Sequence, residues 1–135
     1  MAIAIYNLPP GGNAALPPNV AQKVVGIHLN VGNNVSAFWA IFGKVVVTSP
    51  GVVNVRAQLL AVAPPAPPVV LDTSIATIPA NGAESISLEG VLPPTAAGAF
   101  PPTCVEIVCT SPLLANAELA RLIAISVNPA EVVPC

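Results

Sequence analysis

VSAFWAIFGKVVVTSPGVVNVRAQLLAV, residues Val35 to Val62, decides the fold. Two long apolar runs flank Thr48-Ser49-Pro50-Gly51. Proline presets φ at the second turn position and glycine accepts a positive φ at the third, so the spacing predicts a type II turn. The second run alternates, with Val53, Val55, Ala57, Leu59 and Ala61 on one face and Asn54, Arg56 and Gln58 on the other. A period of two with β-branched residues predicts a half-buried strand. The first run sets Phe38, Ala40 and Phe42 against Trp39 and Ile41. Both of its faces are apolar, so it is expected to be covered on both sides. The two runs together are expected to form a hairpin at the centre of a β-sandwich.

Outward from this stretch, composition sets the terms. The chain has 135 residues, enough for one domain with a sizeable core. Charged residues make up 7% of it and hydrophobic residues 54%. So little charge implies a small polar surface, and exposed apolar patches mark contacts with other proteins. The chain is therefore expected to be covered by copies of itself or by a partner. No apolar run reaches the length of a membrane helix, so membrane insertion is not expected. The four basic residues, Lys23, Lys44, Arg56 and Arg121, are scattered. Nucleic-acid binding needs them clustered, so no nucleic-acid partner is expected. The N-terminus has no basic segment ahead of its short apolar run, so no Sec signal peptide is recognised.

Residues 1–19 read as a Pro/Gly-rich arm, and 20–135 as the sandwich with a short tail ending in Cys135. The arm is read either as a floppy terminus or, preferred, as an apolar peg of Ile3, Ile5, Tyr6 and Leu8 suited to adding a strand to a neighbouring subunit. Pro9-Pro10, Gly11-Gly12 and Pro17-Pro18 stop any longer ladder. Val20 to Val31 predicts a strand with a bulge at Gly26. Ala63 to Pro68 is a stiff polyproline piece, expected to connect the two sheets; it lacks the flanking basic residue of an SH3 ligand. Val69 to Ile78 is a strand, broken by Pro79-Ala80-Asn81-Gly82, where Asn-Gly signals a turn. Ile86 and Leu88 then oppose Ser85, Ser87 and Glu89, a strand with a wet outer face. Residues 93–102 form a Pro/Gly/Ala loop. On the strand from Thr103 to Ser111, Val105, Ile107 and Cys109 share one face and Cys104, Glu106 and Val108 the other. Ala117 to Val127 fits a helix capped at Asn116 or a strand, and strand is preferred because the sandwich needs a closing partner.

Candidate chemistry is thin. His28 is the only histidine, and no Gly-x-Ser-x-Gly elbow accompanies it, so a sheet-surface or hydrogen-bonded core histidine is expected. The acidic residues Asp72, Glu84, Glu89, Glu106, Glu118 and Glu131 show no spacing that selects a facing pair for glycoside chemistry. Trp39, Phe38 and Phe42 are read as core rather than as a stacking platform. Cys104 and Cys109 lie an odd number of residues apart, hence on opposite faces of a straight strand, and should not bond to each other. A zinc site would need two further ligands, and only His28 and Cys135 are on offer, so no metal or other cofactor is expected. Cys104 and Cys109 are read either as small buried hydrophobes or as partners for Cys135, which on its tail could form a disulfide with one of them, within or between chains. No enzymatic activity is expected.

The segments FGKVVVTSPGVVNVRAQLLAV (42–62), DTSIATIPANGAESISLEGV (72–91), the cysteine-bearing strand and NAELARLIAISV (116–127) resemble bacterial spore-surface jelly-roll domains. Those are the C-terminal domains of exosporium collagen-like proteins and the subunits of endospore appendage fibres. The likeness runs over about residues 20–128, with IPANGAESISLEGV as its most characteristic piece. It implies a self-assembling surface protein. Appendage subunits carry cysteines in an N-terminal connector, and this arm has none.

The reading that results is an all-β, jelly-roll-like antiparallel sandwich of about seven or eight strands with an extended N-terminal arm. Its function would be structural: a homo-oligomeric or filamentous subunit of an extracellular or spore-surface fibre or coat, joined by edge strands and the arm. One alternative is a trimeric receptor- or carbohydrate-binding head of tumour-necrosis-factor or complement type. Its loops, 64–68 and 93–102, are poor in sugar-recognising residues. A viral capsid-type jelly roll is another, without the basic arm that would package a genome. The scarcity of Glu and Lys is unlike an idealised design.

Overall fold

The computed structural model describes residues 3–7, 14–29, 38–62, 67–92 and 103–127, with backbone alone for 3–7, 38, 103 and 126–127. Among them every regular element is a strand: β1 (Ile3–Asn7), β2 (Ala14–Leu16), β3 (Gln22–Leu29), β4 (Phe38–Ser49), β5 (Val53–Val62), β6 (Val69–Ile78), β7 (Gly82–Leu92), β8 (Thr103–Thr110) and β9 (Ala115–Val127). One sheet runs β1-β9-β4-β7, with β2 also paired to β9; the other runs β3-β8-β5-β6. We call them the β9 sheet and the β8 sheet. β1 lies opposite residues 121–125 of β9 and β2 opposite 115–117, so together they act as one interrupted edge strand. Counted that way, eight antiparallel strands form two stacked sheets, and the fold is a jelly roll.

Alternation builds the core. Trp39, Ile41, Val45 and Val47 of β4, with Leu122 and Ala124 of β9, form the inner face of one sheet; Val53, Val55, Ala57 and Leu59 of β5, with Val105, Ile107 and Cys109 of β8, form that of the other. The expected face assignments on β5, β7 and β8 all hold. Residues 117–127 are strand, as preferred. A register shift there leaves both Glu118 and Leu119 exposed, while Ala117 and Ala120 stay inside.

The hairpin does not form. β4 and β5 lie in opposite sheets. Each presents its own apolar face to the core, and the corner at Ser49-Pro50 carries the chain from one sheet to the other, so the two strands do not pair. The turn is not type II either, because Gly51 takes no positive φ. Two lesser corrections belong here. The polyproline segment joins β5 and β6, which pair in one sheet, so it does not cross between sheets. The bulge in β3 falls between Lys23 and Val25, not at Gly26, and buries Val24 and Val25 in succession.

The corners explain how the chain changes sheets. Thr-Ser-Pro occurs twice, at 48–50 and 110–112, each time where a strand leaves its sheet. Ser49 and Ser111 are the buried polar residues of the core, and each hydroxyl donates to a carbonyl two residues on, Ser49 to Gly51 at 2.7 Å and Ser111 to Leu113 at 2.5 Å. The proline that follows has no N–H, so the ladder ends there. Each serine carbonyl then accepts an N–H from an asparagine in the left-handed region: Asn81 (φ 54°) to Ser49 at 2.9 Å, and Asn19 (φ 61°) to Ser111 at 2.7 Å. Each asparagine is the third residue of a turn closed back onto a proline, Gly82 N–H to Pro79 at 3.0 Å and Val20 N–H to Pro17 at 3.3 Å. Two copies of one corner device therefore hold the same end of the sandwich. Asparagine tolerates this backbone and β-branched residues do not. Asn81→Val is expected to lower stability by about 1–2 kcal/mol, while Asn81→Gly stays within about 0.5 kcal/mol of wild type in urea unfolding.

Candidate functional site

The outward face of the β9 sheet is the first candidate. Alternation along β4 turns Ala40, Phe42, Lys44 and Val46 away from the core. The register sets Ala40 between Ile125 and Val91, Phe42 between Ile123 and Glu89, and Val46 between Leu119 and Ser85. Phe42 is 45% exposed, Val91 58% and Leu119 54%. Apolar rows thus lie on either side of one cationic row, in which Lys44 faces Arg121. This corrects the expectation for Phe42. Trp39 is core, but Phe42 lies an odd three residues further on and must point the other way. The side chain of Phe38 is outside the described residues. The outer side of β4, expected to be covered, is open in the single chain.

The arm is the second candidate. Ile3, Ile5 and Tyr6 lie on β1, which pairs with β9 of the same chain, Ile3 opposite Ile125, Ile5 opposite Ile123 and Tyr6 opposite Leu122. Leu8 lies outside the described residues. Between the stretches held by β1 and β2, residues 118–120 of β9 have no strand partner on that side among the described residues.

The cysteines separate by environment. Cys109 is fully buried, and burial pushes its thiol from 9.0 up to about 12. Cys104 is half-buried on the outward face of the β8 sheet. Both are free thiols, and Cys135, the expected disulfide partner, lies outside the described residues. His28 stands opposite Cys104 in the β3/β8 register, with Sγ 3.1 Å from Nδ1 and 3.6 Å from Nε2. His28 is a sheet-surface residue, one of the two placements expected. Its contact with Cys104 was not foreseen, because which strands pair is not written in either strand.

The raised thiol of Cys109 makes stability depend on alkaline pH. Below about pH 9 both folded and unfolded chains keep that proton, and the contribution is fully present. Between about pH 9 and 12 the unfolded chain loses it first, so stability falls as pH rises, by at most about 1.4 kcal/mol per pH unit. Cys109→Ala is expected to flatten this slope in urea unfolding at pH 8 and pH 10.

Three of the carboxylates tie strands together. Asp72 sits where β6 shifts register against β5, and its two oxygens accept the N–H groups of Thr73 and Glu89, each at 2.9 Å, which clamps β6 to β7. Glu118 accepts from the Thr48 hydroxyl at 3.3 Å. Glu106 reaches Lys23 at 3.9 Å across β3 and β8. Glu131 lies outside the described residues. Among the described residues no three of His, Cys, Asp and Glu come together as metal ligands.

No family model matches the sequence, and no curated protein matches it significantly. Solved structures do share its shape. A chain from the structure of infectious bursal disease virus, Gx strain, superposes with a TM-score of 0.60 at 9% identity, covering 98% of this chain and 35% of that one. One from the Gt strain gives 0.58 at 11% identity, covering 91% and 33%. The chain thus spans about a third of the length of the virus chains it matches. At these identities the likeness is one of fold, and the fold is that jelly roll.

Proposed function

We propose that this chain is a structural subunit that assembles with copies of itself, by its outer sheet face and edge strands, into an extracellular or spore-surface fibre or coat. The observation that carries the reading is the outward face of the β9 sheet, where Phe42, Val91 and Leu119 stand exposed. A charged fraction of 7% leaves little repulsion between like subunits, and burying such a face removes apolar area from water. The arm supports the same reading. β1 is a five-residue strand on the edge of β9, and an identical segment from a neighbour could take the same register. The subunit would be non-catalytic. A closed shell built on the same contacts is a second reading, suggested by the fold shared with the virus chains.

Sedimentation over a dilution series, with negative-stain microscopy, tests this. Multimers that dissociate on dilution are the expected result, filaments favouring a fibre and closed particles a shell. A single-chain species at every concentration overturns the proposal.

A further inference from the structure

Away from the face assigned to assembly, the described residues place one nucleophile beside one base. We propose that Cys104 and His28 form a thiol–imidazole pair that reacts with disulfides, making Cys104, among the described residues, the site of mixed-disulfide formation. The pair is fixed by the sheet. Antiparallel pairing of β3 with β8 sets the two residues directly opposite, and the burial of Ile27, Leu29 and Val105 turns both side chains outward. Sγ lies 3.1 Å from Nδ1 and 3.6 Å from Nε2, so the thiol rests against the imidazole, and a turn of this exposed ring brings one nitrogen into line to take the proton. His28 is exposed and Cys104 half-buried, so the pair lies at the surface of the sheet and not in the core. On the other flank, β5 presents Val62 opposite Cys104.

The charged groups on this face do not displace the imidazole. Glu106, two residues along β8, is engaged by Lys23 of β3 at 3.9 Å. Arg56 of β5 lies at the far end, opposite Thr110. Two ligands are too few for a structural metal, whereas thiol–disulfide exchange needs only a thiolate and access to it. Cys109, sealed in the core, has neither.

The step balances without a further oxidant. The Cys104 proton passes to His28. The thiolate sulfur attacks one sulfur of a small disulfide, forming a new S–S bond as the old one breaks. The departing thiolate takes the proton back from the imidazolium. The disulfide is the oxidant, and one small thiol is released per Cys104 modified.

The test uses the full chain at pH 7 with 4,4′-dithiodipyridine, following released thiopyridone and mapping the modified cysteine by peptide mass spectrometry. Cys104 is expected to react ahead of Cys109, which stays untouched until denaturant is added, with Cys135 followed separately on its own peptide. His28→Ala and His28→Asn are both expected to slow Cys104 by roughly 10- to 100-fold, with all variants reacting alike once unfolded. Asparagine keeps a hydrogen bond but takes no proton, so a wild-type rate in His28→Asn would overturn the proposal. So would a wild-type rate in His28→Ala, or modification of Cys109 ahead of Cys104 in the folded chain.

Discussion

Replacing Ile107 with alanine is expected to cost about 2–5 kcal/mol of folding stability. Ile107 is fully buried on β8, and its tip crosses the sandwich to Gly43 on β4. A Cβ added at Gly43 would lie 2.9 Å from Ile107 Cδ1 and 3.3 Å from Leu122 Cδ2. Glycine is present in the middle of a core strand because the opposite side chain fills its place. The two positions are therefore coupled. Gly43→Ala alone forces Ile107 to shift and is expected to cost about 1–3 kcal/mol. In the Ile107→Ala background that clash is gone and the new methyl fills part of the void. The double variant should then be more stable than the sum of the two losses by about 1–2 kcal/mol. Urea unfolding of all four proteins measures it, and additivity within about 0.5 kcal/mol would show that the two sites do not share space.

Phe42→Lys is expected to weaken self-association by about a hundredfold or more, because an ammonium would have to lose its water in an apolar contact. The substitution is chosen to spare the fold. Phe42 is exposed, and its neighbour on β7 is Glu89, which a lysine would face as an opposite charge. Unfolding free energy should change by less than about 1 kcal/mol. Sedimentation profiles identical to wild type at matched concentrations would remove this face from the interface.

Residues that alternate were legible at once. Val53 to Ala61 and Ile86 with Leu88 carry their own inside and outside, because the period of a strand is local. Neighbour choice is not local. Apolar strands flanking a proline-glycine turn look alike whether they pair or stack, which is why β4 and β5 read as a hairpin. The distinguishing sign was available: Thr-Ser-Pro recurs at 48–50 and 110–112, and a repeated buried serine before proline marks a corner. Phe42 misled for a related reason, since a phenylalanine on a strand is assigned inward by its chemistry and outward by its parity, and parity won. The His28–Cys104 contact had no sequence signal, as it depends on two strands 76 positions apart being paired in one register.

The place of β9 in the molecule governs how the chain comes into being. Among the described strands it comes latest in the sequence, yet it sits between β1 and β4 and joins one to the other. During synthesis β4 can pair with β7 before β9 emerges, but β1 and β2 cannot be joined to them until it does. Until β9 emerges, β4 offers a bare, apolar edge to any other nascent copy, and a topology so dominated by distant pairings folds in milliseconds to seconds rather than microseconds. Unfinished chains, with that edge bare, are prone to pair wrongly with one another.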